Sequence, residues 1–269
     1  MHYGADTRYA LAQHLETAMN QSEKVIRVFQ HDGCGGMGYL ASFLDARRVS
    51  YEMIRIDQQQ ALPQDILDSA GLIFLGSNLS VNSDHPWIAD EIELIRQAAE
   101  IDLPVLGICF GGQLISKALG GHISKAPAMQ IGWFRVESTA EASTLIDAQL
   151  PSSFEAFEWH EDTFSVPTGG IPLFYGECVK QQGFLHGRCL ALQFHLEITR
   201  HKIQDCLLQA RKRVADSSAC VHPSEQMLHD LDDRITRLHA VSDSLFQWWL
   251  KLGGEEKNDS SSHEYQPPQ

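Results

Sequence analysis

Several features are scarce or missing in this chain, and each absence narrows what it can be. Basic residues are outnumbered, 21 Lys and Arg against 35 Asp and Glu, for a formal net charge of −14. No basic run breaks that balance, which argues against nucleic acid as a partner. No stretch approaches the roughly 18 uninterrupted apolar residues of a membrane-spanning helix, so no membrane span is expected. The N-terminus, beginning Met1-His2-Tyr3-Gly4, has no basic segment leading into an apolar one, and no signal peptide is expected. The cysteines, Cys34, Cys109, Cys178, Cys189, Cys206 and Cys220, fall in no CxxC or zinc-like spacing. The expectation is therefore free thiols in a reducing cytoplasm rather than a disulfide framework. A glycine-bearing loop, residues 31–38, follows a candidate strand but lacks the GxGxxG spacing and a ribose-binding acid. It reads as a strand-to-helix turn, and no nucleotide cofactor is expected.

What is present describes a globular chain. Its 269 residues are 43% hydrophobic, enough to bury a full core. Short apolar runs at residues 25–29, 51–56, 72–75 and 105–108 read as strands. Helical patterns over residues 39–47, 63–69 and 84–99, and another opening at Gly111, fall between and after them. That alternation predicts an α/β fold, doubly wound, with a mostly parallel central sheet and helices on both faces. Further strands are expected starting over residues 122–124 and over residues 131–136, 154–163, 171–175, 178–181, 183–186 and 188–194, with a closing helix over 197–214. Trp133 reads as core.

The chemistry concentrates at Pro104-Val-Leu-Gly-Ile-Cys109-Phe-Gly-Gly-Gln113. A buried strand ends at Cys109 and a helix opens after it, with Gly107 and Gly111 two residues to either side. This is the Gly-x-nucleophile-x-Gly spacing of a nucleophile elbow, with cysteine in place of serine. The turn puts the sulfur at the carboxyl edge of the sheet, where open α/β sheets bind ligands. The N-terminal end of the following helix favours thiolate. A lone cysteine is more often buried filler. Here a second strand ends at His195-Leu196-Glu197, which supplies a base for the thiol proton and a carboxylate to orient the imidazole.

Taken together, Gly107-Ile-Cys109-Phe-Gly111-Gly-Gln113 and Gln193-Phe-His195-Leu-Glu197 resemble the two motifs of the class I glutamine amidotransferases, most of all the amidotransferase half of GMP synthase. The second motif carries Leu196 where that family usually has proline. The resemblance implies a flavodoxin-like fold and a catalytic triad of Cys109, His195 and Glu197. It also implies an oxyanion hole from the N–H of Phe110 with the loop at Gly76 and Ser77, and substrate contacts from His160 and Asp162. Gln113, four residues past the cysteine on the same helical face, is a further substrate candidate, with Met129 and Gln130 behind it. His160 and Asp162 have no third partner for a metal, and none is expected.

The resemblance covers residues 23–215 as an amidotransferase-like domain. Residues 1–22, with Tyr9, Leu11, Leu15 and Met19, read as an N-terminal helical extension. Residues 216–252 read as a linker and an amphipathic helix, stepping through Met227, Leu231, Ile235, Leu238, Val241, Leu245, Trp248 and Leu252. This helix either docks on the domain or pairs with a second copy, with docking preferred. Residues 253–269 are too polar to bury and are expected to be disordered. Three functions compete: a glutaminase that supplies a separate synthase partner with ammonia, a stand-alone γ-glutamyl peptide hydrolase, and a non-catalytic binding module. Glutamine or a γ-glutamyl compound is the expected substrate.

Overall fold

The computed structural model describes residues 24–33, 35–146, 150–209 and 218–254. In chain order the elements are β1 (Val25–Gln30), α1 (Tyr39–Ala46), β2 (Tyr51–Arg55), β3 (Ser69–Phe74), α2 (Pro86–Glu100), β4 (Val105–Ile108) and α3 (Phe110–Ala118). They continue with β5 (Ile123–Ser138), α4 (Ala140–Leu145), β6 (Ser153–Phe164), β7 (Ile171–Gly176), β8 (Gln181–His186) and β9 (Cys189–Leu192). The described chain ends with α5 (Arg200–Gln209), α6 (Ser224–Leu228) and α7 (Leu231–Gly254). The expected N-terminal extension and all but the first two residues of the expected tail lie outside the described residues.

One nine-stranded sheet runs β2-β1-β3-β4-β9-β8-β7-β5-β6. The strands from β2 to β9 pair in parallel, and those from β9 to β6 pair antiparallel. The sheet is thus evenly mixed where the sequence suggested a mostly parallel one, because short β segments reveal their existence but not their direction. Helices cover both faces, as a doubly wound fold requires. On one side α1, α5 and α7 contribute Phe43, Leu44, Ile203, Leu238, Leu245, Phe246 and Trp249 to the core. On the other, α2 and α3 contribute Ile88, Ile92, Ile95, Leu114 and Ile115. β4 and β9, at the centre, are buried at every position, which is why they read as unbroken apolar runs.

Three local expectations are corrected. Residues 63–68 form no helix, and β3 begins earlier, at Ser69. Arg27 organises that segment by donating to the Asp65 carbonyl at 2.8 Å, the Asp68 carboxylate at 2.7 Å and Ser69 Oγ at 2.8 Å. Cys178 and Cys220 are joined in a disulfide, against the expectation of free thiols throughout. The cross-link follows from local pairing: residues 220–222 run beside β5, with Ile131 donating to the Cys220 carbonyl and His222 to that of Ile131, both at 2.9 Å. That seats Cys220 beside the β7–β8 turn. Finally, the expected C-terminal helix is two helices, broken where Asp230 takes a left-handed φ of 48°. The apolar face of α7 is covered by its own domain, with Leu238, Leu245, Phe246 and Trp249 all at most 2% exposed.

Among the described residues no helix is long and apolar enough to cross a membrane.

Candidate active site

β4 and β9 are parallel neighbours, with Ile108 opposite Leu192, and both reactive motifs leave the sheet at their carboxyl ends. Cys109 is fixed at the turn by its own N–H, which donates to the Leu192 carbonyl at 2.8 Å, and by its carbonyl, which accepts from Gln113 N at 3.0 Å. Its φ of 53° is uncommon for a residue with a side chain and marks a backbone held in strain by its surroundings. The flanking glycines explain how this is accommodated. A Cβ on Gly107 would lie 2.3 Å from the Gly111 carbonyl oxygen, and one on Gly111 would lie 2.0 Å from that of Phe74.

His195 is placed from the other side. Its N–H donates to the Phe157 carbonyl at 2.9 Å, a single antiparallel bridge that pins the residue to β6. The ring borders the same cavity as Cys109, both of them against Gly76, and its Nδ1 lies 2.8 Å from Glu197 Oε1. The structure therefore brings Cys109, His195 and Glu197 into one chain of contacts, with exposures of 4%, 9% and 1%. Burial opposes charge on His195, but Glu197 and Cys109 outweigh it and raise its pKa to about 10. Burial likewise opposes charge on Glu197, and His195 with Lys202 overcomes it, bringing that carboxyl down to about 2.

The Gly76-Ser77 loop follows β3 beside this centre. A Cβ on Gly76 would lie 3.0 Å from His195 Cε1 and 3.7 Å from Cys109 Cβ. Phe110 opens α3 next to the sulfur, its ring wedged against His31 and Trp87. His31 in turn pairs with Glu91 at 3.1 Å in a fully buried contact beneath that helix end.

Two cavities meet at Cys109. The first is bordered by Ser77, Ser80, Gln113, Lys125, His160 and Asp162, so the three residues named from the sequence as substrate contacts share one wall of one cavity. Within it Gln113 Nε2 donates to the Asp162 carbonyl at 3.0 Å. The Asp162 carboxylate meets Ser80 Oγ at 2.5 Å and Lys125 Nζ at 2.9 Å. The second cavity lies on the His195 side, between Gly35, Phe157, Trp159, Ile198, Lys202 and Cys206.

Four residues here escaped the sequence reading. Lys202 reaches Glu197 Oε1 at 3.2 Å and the Gly36 carbonyl at 2.7 Å. Asp32 ties the glycine-bearing loop to the Gly76-Ser77 loop by accepting from Gly35 N, Asn78 N and Ser77 Oγ at 2.7, 2.7 and 3.0 Å. Glu158, fully buried, faces His160 Nε2 at 3.2 Å. Gln193 donates toward the Cys109 sulfur at 3.7 Å. Glu158 had a readable signal, since Glu158, His160 and Asp162 alternate along one strand and so share a face. Gln193 stood inside the quoted motif. Lys202 lies 166 positions from the Gly36 carbonyl and Asp32 lies 45 from Ser77, and neither carried a signal.

Comparison with known proteins agrees with this geometry. The family model for class-I glutamine amidotransferases matches residues 38–211, well over half the chain. The chain spans about a quarter of the length of the longer GMP synthases it matches. It is similar to one of the glutamine-hydrolysing GMP synthase subunits of Methanococcus maripaludis, 32% identical over 115 residues, which covers 42% of this chain and 60% of that protein. It is also similar to gamma-glutamyl peptidase 4 of Arabidopsis thaliana, 24% identical over 158 residues, covering 56% and 63%. Among solved structures, a glutamine amidotransferase from Methylobacillus flagellatus superposes with a TM-score of 0.81 at 28% identity, over 90% of this chain and 99% of that one. With the motifs, the fold and the family model in agreement, the chain belongs to the class-I glutamine amidotransferases, a family of cysteine-dependent enzymes.

Proposed function

We propose that the protein hydrolyses the γ-amide of glutamine, or of a related γ-glutamyl compound, through a thioester on Cys109. His195 takes the thiol proton and the sulfur adds to the γ-carbonyl carbon. The carbonyl oxygen becomes an oxyanion, which the N–H groups of Phe110 and of the Gly76-Ser77 loop receive. As the intermediate collapses the carbon–nitrogen bond breaks, and His195 returns the proton to the departing nitrogen. A water deprotonated by His195 then attacks the thioester, releasing glutamate and restoring the thiol. Glu197 holds the imidazole's tautomer and the charge that forms on it. Gln113, His160 and Asp162 line the side on which the glutamyl group sits.

The observation that supports this most strongly is the His195 ring lining one cavity with Cys109 while its Nδ1 lies 2.8 Å from a buried carboxylate. The second cavity favours a second reading. It opens beside His195, where the leaving nitrogen must be protonated, and its Phe157, Trp159 and Ile198 walls suit a leaving group larger than ammonia. A γ-glutamyl peptide would fill both cavities. If ammonia is the product instead, an unidentified separate synthase subunit would receive it.

Glutamate release from glutamine by the purified chain, with Cys109→Ala as control, tests the first reading. A panel of γ-glutamyl dipeptides under the same conditions divides the two. Preference for dipeptides over glutamine supports the peptidase, and turnover of glutamine alone supports the glutaminase. Turnover unchanged in Cys109→Ala would contradict both.

A further inference from the structure

Glu197 sits in a segment, Leu196-Glu197-Ile198, that begins four residues past the end of β9 and belongs to no strand or helix. The related motif usually has proline at the position of Leu196, where the ring stiffens the backbone. Leucine provides no such constraint, yet Leu196, Glu197 and Ile198 are all at most 2% exposed. Something else must hold them.

Each of the three successive carbonyls is held by a donor from outside the segment. Leu196 O accepts from Ser242 Oγ at 2.8 Å. Glu197 O accepts from Tyr39 N, the first residue of α1, at 2.8 Å. Ile198 O accepts from His239 Nε2 at 2.9 Å. Two of these donors, Ser242 and His239, stand on α7, which lies beyond the residues matched by the family model. They are three residues apart, so they share one helix face.

Both donors are themselves constrained. Ser242 is fully buried, and its single hydroxyl proton is shared between Leu196 O and the carbonyl of Leu238 one turn back, at 2.9 Å. The His239 ring stacks on Tyr39 with centroids 3.6 Å apart and planes 8° apart. The Tyr39 hydroxyl donates to Asp243 at 2.8 Å, again on α7. A carbonyl can only accept, so His239 carries its proton on Nε2. Burial pushes His239 below its usual pKa, which keeps the ring neutral near pH 7.

We propose that Ser242 and His239 are positioning residues for the triad. The C-terminal helix clamps the backbone on either side of Glu197 and supplies the rigidity that proline supplies elsewhere in the family. This rests on the role assigned to Glu197 above. The clamp reaches no substrate. It acts by keeping the Glu197 carboxylate within hydrogen-bonding distance of His195 Nδ1, and small displacements of such a group are costly to turnover because the reacting geometry is narrow.

The test uses the full chain with Ser242→Ala, His239→Leu, the double variant, and His239→Gln, whose side-chain amide can still donate to Ile198 O. Two readouts are taken at a temperature where circular dichroism shows every variant folded. One is kcat and KM for the substrate identified above. The other is the proton NMR signal of His195 Nδ1–H, which reports its bond to Glu197 whether or not turnover is observed. The double variant should lose about ten- to a hundredfold in kcat with KM within about twofold, and its Nδ1–H signal should broaden or vanish. His239→Gln should recover most of the loss seen in His239→Leu. A double variant with unchanged kcat and an unchanged signal would overturn the proposal, as would His239→Gln behaving like His239→Leu in both readouts. If the wild-type chain turns over neither glutamine nor γ-glutamyl dipeptides, the functional reading fails, while the NMR signal still decides the clamp.

Discussion

In the parallel half of the sheet, buried polar side chains sit only at strand ends, Gln30 at the close of β1 and Ser69 at the start of β3. In the antiparallel half they run along the strands themselves: Gln130 on β5, Glu158, His160 and Asp162 on β6, and Gln182 on β8. The two halves meet at Cys109 and contribute to it differently. The parallel half aims its reactive group with backbone geometry, through a strained turn and two glycines whose replacement would drive a Cβ to within 2.3 Å of a carbonyl oxygen. The antiparallel half contributes buried polar side chains, with His160 and Asp162 lining the cavity, Asp162 held through its carbonyl by Gln113, and the Glu158 carboxylate 3.2 Å from His160 Nε2. Chemistry should therefore be sensitive to changes at the parallel edge, and substrate affinity and stability to changes in the antiparallel wall.

The largest effect belongs to the nucleophile. Cys109→Ala should lower kcat by about 10⁴-fold or more while leaving the fold intact, because the alanine keeps the turn's Cβ. Turnover assays alongside circular dichroism check both parts.

Next is Glu197→Gln, which should cost about 10²- to 10⁴-fold in kcat. It also removes the chief partner opposing the burial of His195, so the imidazole pKa should fall from about 10 toward or below its ordinary 6.5. NMR titration of His195 measures this. The same linkage appears in stability. With the folded pKa of His195 raised from 6.5 to about 10, its contribution is complete below about pH 6.5 and is lost as pH climbs toward 10. With Glu197 lowered from 4.5 to about 2, its contribution is complete above about pH 4.5 and is lost as pH falls toward 2. Urea unfolding from pH 6.5 to 10 should show a decline in the wild-type chain that Glu197→Gln largely lacks.

Glu158→Gln probes the other half. It leaves His160 facing an amide in a fully buried site and should destabilise the fold by about 1–3 kcal/mol. KM should rise more than kcat falls, through the His160 wall of the first cavity. A kcat loss as large as that of Glu197→Gln, with KM unchanged, would erase the distinction between the halves. Cys178→Ser should have the smallest effect on turnover. It opens a 42-residue link and should cost about 2–4 kcal/mol in denaturant unfolding.

The same division explains what the sequence could reveal. The elbow was legible because a backbone strained around Cys109 demands glycines at Gly107 and Gly111, and such demands leave a local pattern. His195 and Glu197 were legible for a similar reason, being two residues apart on one strand exit. Lys202, Asp32, Ser242 and His239 were not. Each acts across a fold-made contact, such as the 45 positions between Asp32 and Ser77, and a lysine or serine in a helix looks the same whether or not it clamps a loop. The disulfide was invisible because neither cysteine belongs to a spacing pattern. The break before α7 was missed because the apolar stepping continues through Asp230, which adopts its left-handed φ without glycine. The antiparallel direction of β5 to β8 depends on hairpin pairing, which strand-forming composition does not encode.

The central claim, that Cys109 forms the covalent intermediate, is tested most directly by mixing the wild-type chain with glutamine or a γ-glutamyl dipeptide, quenching in acid, and mapping the peptides by mass spectrometry. The predicted result is a glutamyl group on Cys109, removable by hydroxylamine as a thioester should be. Glutamate production with no adduct on Cys109, or with the adduct on Cys189 or Cys206, would contradict it.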